Sequence, residues 1–132
     1  PAGMATPFDV QGTHVMRKIL MMLAIMAAPV QAQQVASAEG GVLRALDKVS
    51  GVSRDVDMRR GETARVGNLN VTMHECRYPS GNPAGDAYAE LEIVETGDEN
   101  RLFAGWMIAS APALSALEHP RYDIWVIRCT TS

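Results

Sequence analysis

Positive charge is scarce in this chain of 132 residues. Beyond Arg17 its only lysines are Lys18 and Lys48, and Arg59-Arg60 is a lone doublet between Asp57 and Glu62. Nucleic-acid binding draws on clustered basic residues that displace phosphate counterions, so the pattern argues against nucleic acid as a partner. Serines are plentiful, yet none stands in a G-x-S-x-G elbow, which removes the motif by which one large class of hydrolases presents its nucleophile. There is no internal repeat. The longest apolar run, from Ile19 to Val30, is broken by Gln31, Gln33 and Gln34, short of the roughly 20 residues that a spanning helix needs. Cysteine is limited to Cys76 and Cys129.

What is present is ordinary in bulk and uneven in place. Apolar residues make up 47% and charged residues 20%, which indicates a globular chain rather than a disordered or fibrous one. The length leaves room for one domain. Five of the eight methionines (Met4, Met16, Met21, Met22, Met26) lie near the start, around the apolar run. That run follows Arg17-Lys18 and ends at Val30-Gln31-Ala32. A basic start, a short apolar stretch and an A-x-A-like exit describe a secretory signal peptide. The expected leader is 16–32, cleaved after Ala32, with Met16 as the start and 1–15 as a non-native extension. No lipid-attachment cysteine follows, so the expected product is a soluble periplasmic protein with no membrane span after cleavage. Past the leader the chain carries ten basic residues (twelve less Arg17 and Lys18) and fourteen acidic ones (fifteen less Asp9), a formal net charge of −4.

Residues 33–42 are polar and small and read as a disordered lead-in, followed by one domain over 43–129 and a tail over 130–132. Gly and Pro then punctuate the chain about every ten residues, the rhythm of short strands and turns. The segment 42–49 fits a short helix or a strand. Alternation of apolar and polar residues predicts strands over 53–58, 63–66, 69–76 and 87–96. The loop at 97–100 returns the chain as a hairpin strand over 101–108. A short helix is expected over 110–118, with Pro112 in its first turn, Leu114 and Leu117 meeting the core, and Pro120 ending it. The last strand is 122–129. The expected fold is mainly β, a small antiparallel barrel or sandwich with one short helix near the C-terminus.

In an exported chain two cysteines default to a disulfide, Cys76 with Cys129. The sharper alternative is a metal site. His74 and Cys76 are two apart, so on a regular strand they share a face, and His119 and Cys129 complete a formal Cys₂His₂ set. Its spacing matches no recurrent zinc pattern. No metal and no cofactor are expected.

The densest stretch is 103–129, FAGWMIASAPALSALEHPRYDIWVIRC. Gly105-Trp106-Met107, Ala109-Ser110, Leu117-Glu118-His119-Pro120 and Tyr122-Asp123-Ile124-Trp125, together with LDKVSG at 46–51 and the segment 70–76, resemble a family of short proteobacterial proteins with signal peptides. That family is known only as a domain of unknown function, number 2155. The resemblance spans about 43–129. It implies an envelope location and supports the Cys76–Cys129 pairing, and it brings no catalytic residue with it. Read physically, Glu118, His119, Tyr122 and Asp123 form a polar helix-to-strand corner, with Trp106 and Trp125 as pocket walls. The plainer reading pairs Glu118 or Asp123 with Arg121 or Arg128, has His119 merely end the helix, and leaves both tryptophans in the core. The expected function is non-enzymatic: a disulfide-stapled β domain that binds another protein or an envelope component. The alternative is a small-ligand or metal-binding module using the 118–123 corner or His74/Cys76. The oligomeric state is left open.

Overall fold

The computed structural model describes residues 34–98 and 100–131. The expected leader and the stretch before it lie outside the described residues. Eight strands are described: β1 (Val35–Ser37), β2 (Gly40–Asp47), β3 (Ser53–Arg59), β4 (Thr63–Val66), β5 (Leu69–Pro79), β6 (Tyr88–Glu95), β7 (Arg101–Ile108) and β8 (Tyr122–Thr130).

They form two antiparallel sheets. In the larger, β5 is the long central strand. It pairs with β6 along one side, and on the other with β4 through Leu69–Thr72 and with β1 through Arg77–Pro79. β7 continues the sheet beyond β6. In the smaller sheet β2 lies between β3 and β8. The two ladders do not join, so the strands make no closed barrel.

Period-2 patterning explains this layout. Leu69, Val71 and Met73 of β5 and Ala89, Leu91 and Ile93 of β6 are wholly buried, with partly exposed Asn70, Thr72, Glu90 and Glu92 between them. Tyr122, Ile124 and Val126 repeat the pattern on β8. The inner faces of both sheets, with Leu43, Ala45 and Met58 from the smaller, share a single apolar core. Alternate residues of a strand reach opposite faces, so each strand gives half its side chains to that core.

Two expectations are corrected and one open alternative is decided. The helix over 110–118 is absent; only a single 3₁₀ turn, Pro112–Leu114, occupies the segment. Asp86 takes both the Ser110 N–H (2.9 Å) and its hydroxyl, and Ala111 N–H turns back to Ile108 C=O (3.1 Å), so the backbone donors that would open a helix are already bound. Leu114 is 76% exposed while Leu117 is buried. Without a two-residue apolar face, a segment this short has too little packing to hold a helix. The lead-in expected over 33–42 is ordered from Val35: β1 adds to the end of β5, and Gly40, Gly41 and Val42 are already inside β2. The segment left open at 42–49 is strand, because its neighbours β3 and β8 supply ladders on both sides.

Candidate functional site

The polar corner forms where the end of β2 meets the entry to β8. Arg121 forks onto the Asp47 carboxylate (Nη2 3.0 Å, Nε 3.2 Å). The same carboxylate accepts the N–H groups of Val49 (2.9 Å) and Ser50 (3.2 Å), closing the turn after β2. Lys48 N–H donates to Arg121 C=O, and its ammonium donates to His119 C=O (both 2.7 Å) and sits 3.5 Å from Asp123. His119 Nδ1 accepts N–H groups from Arg121 (3.1 Å) and Tyr122 (3.2 Å). Two donors converging on Nδ1 leave Nε2 to carry the ring proton. Nε2 points to Glu95 Oε1 at 3.6 Å, and that oxygen also accepts from Asn68 (2.9 Å). The His119 and Tyr122 rings lie 5.5 Å apart.

The Arg121 hydrogen bonds push the Asp47 pKa down to about 2, from an ordinary 3.8, with partial burial opposing and the Ser50 and Val49 amides assisting. A carboxyl depressed in the folded state stabilises the fold while it is ionised, and that contribution is lost as pH falls through its folded value. Asp47→Asn therefore lowers the melting temperature relative to wild type at pH 6, and the gap closes as pH drops from about 4 to about 2. Thermal melts across pH measure it; a gap unchanged at low pH contradicts the assignment.

Of the six residues expected to form one pocket, the structure brings together His119, Tyr122 and Asp123. Trp125 faces outward on β8, where with Asp123 it lines a shallow groove against Pro112, Ala113 and Leu117. Glu118 is exposed. Trp106 lies apart: it is on the outer face of the larger sheet, opposite Glu90, beneath the Arg77 guanidinium (4.9 Å to the ring centroid). Val35, Tyr88 and Ile108 complete an apolar patch around it. The corner is therefore a knot of mutually satisfied groups that Trp125 adjoins only through the groove it shares with Asp123, and Trp106 belongs to a different surface.

His74 and Cys76 do not share a face. The β5–β6 register passes from Met73↔Leu91 to Glu75↔Glu90, so His74 is the extra residue of a bulge. A bulge shifts the alternation by one. Met73 and Cys76 both face the core, while His74 reaches out to Glu92 (3.2 Å). Cys76 is bonded to Cys129, joining β5 of one sheet to β8 of the other. Gly41 lies beside this bridge, where an added Cβ would stand 2.9 Å from Cys76 Sγ. Among the described residues, no group of three His, Cys, Asp or Glu side chains is placed to hold a metal.

Asp47 and Asn68 were not singled out by sequence reasoning; Arg121 stood there only as a partner for Glu118 or Asp123, and Glu95 only as one acidic residue of its strand. The turn LDKVSG carried one usable signal: an Asp followed at two and three residues by free amides is an Asx-type turn. The contacts from Arg121 and Glu95 link segments far apart in the chain and leave no local trace.

A match to the family described as "Uncharacterized protein conserved in bacteria" covers residues 41–129. The chain is similar to Uncharacterized protein RP359 of Rickettsia prowazekii, 33% identical over 92 residues, which is 67% of this chain. It spans 59% of that relative's length. No solved structure matches. On the extent of the family match and on that relative, the chain belongs to this bacterial family, domain of unknown function 2155.

Proposed function

We propose that the domain is a non-catalytic binding module of the bacterial envelope, exported and stapled by its disulfide, which holds another protein or an envelope component at the Trp106 patch. The observation that carries this reading is Trp106 itself. It is 36% exposed on a sheet face, capped by Arg77 and flanked by Val35, Tyr88 and Ile108. An exposed Trp with half-buried Tyr and Arg in one apolar cluster is the composition of binding hot spots. The rigid sheet beneath presets its geometry at little entropic cost. Export is supported by the leader pattern at 16–32 and by a cysteine pair that an oxidising compartment would keep bonded.

The test uses the oxidised domain as bait against periplasmic and outer-membrane fractions, with Trp106→Ala and Arg77→Ala as comparisons. Wild type recovers a saturable partner, and each variant weakens that recovery about 30-fold, the effect of a roughly 2 kcal/mol hot spot. Undiminished recovery by Trp106→Ala, with its fold intact by circular dichroism, overturns the patch as the site. Residence of the native protein in the cytosol overturns the envelope role.

A further inference from the structure

The larger sheet ends at β7, and this edge is unlike the others. The smaller sheet's edges are charged: β3 carries Arg54, Asp55, Asp57 and Arg59, and β8 carries Asp123 and Arg128. On the far side of the larger sheet β4 and β1 are only four and three residues long. Short strands and edge charges are how proteins protect a sheet edge from pairing. β7 has eight residues, and from Leu102 to Ile108 it contains neither charge nor proline.

Its free backbone groups can be placed. Ala109 N–H donates to Ala87 C=O (2.9 Å), which in an antiparallel ladder assigns the N–H and C=O groups of Met107, Gly105 and Phe103 to β6. The groups of Ala104 and Trp106 then face away from the sheet. Among the described residues, no backbone hydrogen bond outside the sheet ladder reaches them, whereas Ile108 C=O is taken by Ala111 N–H (3.1 Å).

We propose that this edge is a self-association site, β7 pairing antiparallel with β7 of a second copy about a two-fold axis at Gly105. The strand is self-complementary in that register. Trp106 meets Ala104 of the second copy, and Ala104 meets its Trp106, setting large against small while four N–H···O bonds form. On the inner side Phe103 meets Met107. Gly105 faces Gly105 at the axis, where two backbones approach most closely. Charge does not oppose the pairing: Arg101, the one charged residue of the strand, lies at its far end and is held by Glu92 of its own sheet (3.3 Å). The two Trp106 patches then lie on one face of a continuous sheet. This pairing goes beyond the proposed envelope binding and does not depend on it.

Sedimentation velocity of the oxidised domain over ~1 µM to ~1 mM tests it, with Ala104→Pro and Ala104→Ser alongside. A short ladder of this kind belongs to the weak, transient class, so wild type should pass from monomer to dimer with a dissociation constant on the order of 10–100 µM. Ala104→Pro removes an N–H that β6 does not use, as edge positions tolerate. It should stay monomeric throughout, while Ala104→Ser dimerises as wild type does. Amide hydrogen exchange on wild type gives a reading independent of any variant: at high concentration the Ala104 and Trp106 amides slow about tenfold or more, and Gly105, already bonded to β6, changes little. A monomer across the whole range, equal dimerisation by a folded Ala104→Pro, or concentration-independent exchange at positions 104 and 106 overturns the pairing. A monomer that still captures an envelope partner overturns it while leaving the binding role intact.

Discussion

Replacing both Cys76 and Cys129 by alanine will lower the melting temperature of the domain by about 15–30 °C. The bridge closes a loop of sequence separation 53, and restraining such a loop in the unfolded chain stabilises the native state by roughly 4 kcal/mol in the chain-entropy account. For a domain near 100 residues each kcal/mol shifts the melting temperature by about 4–8 °C. Location adds to the expectation. Both sulfurs are within the core, and the bridge is a covalent cross-link between the two sheets, which otherwise meet through side-chain packing and polar contacts such as the hydrogen bond from Arg54 on β3 to Arg65 C=O on β4 (2.8 Å). Wild type treated with enough dithiothreitol to reduce it should melt at the temperature of the double variant. Calorimetry with and without reductant measures both. A shift below about 5 °C would mean that packing and polar contacts alone hold the sheets together.

The second large effect is expected at the β4–β5 turn. Gly67 has φ +59°, in the left-handed region, and a Cβ added there would collide with the hydroxyl and ring of buried Tyr122. Gly67→Ala should therefore destabilise by about 2–4 kcal/mol, the sum of the backbone cost and overpacking against a ring fixed in the core. Gly81 separates the two contributions. Its φ is +79° and nothing lies near its missing side chain, so Gly81→Ala pays the backbone cost alone, about 1 kcal/mol. Urea denaturation of both variants gives the difference. Equal losses would show that Tyr122 yields without penalty and that the corner is looser than its hydrogen bonds indicate.

Tyr122 also illustrates how far the sequence could be read. Its burial follows from alternation with Ile124 and Val126, as do the inward faces of β5 and β6, because period 2 is a local property of the chain. The pairing of Cys76 with Cys129 was legible for an equally simple reason: no third cysteine competes. The misreadings arose where the decisive partner is remote. Ser110 carries a helix-opening pattern, but Asp86, on the loop before β6, binds it first. His74 and Cys76 are two apart, yet a bulge set by pairing with β6 turns them to opposite faces. Val35 to Ser37 sit in a stretch of polar and small residues and look too brief to be structured, and they order because the end of β5 offers an open ladder. The expected pocket is divided for the same reason. Trp106 and Trp125 are close in sequence, but a chain crossing from one sheet to the other between them places each on a different outer surface.

Mass spectrometry of the protein isolated from its native cells, alkylated before any reductant is added, tests the central claim that a covalent bridge joins the two sheets. The account predicts no alkylated cysteine and a single peptide pair linking Cys76 to Cys129 after digestion. Two alkylated thiols in the folded native protein would contradict it.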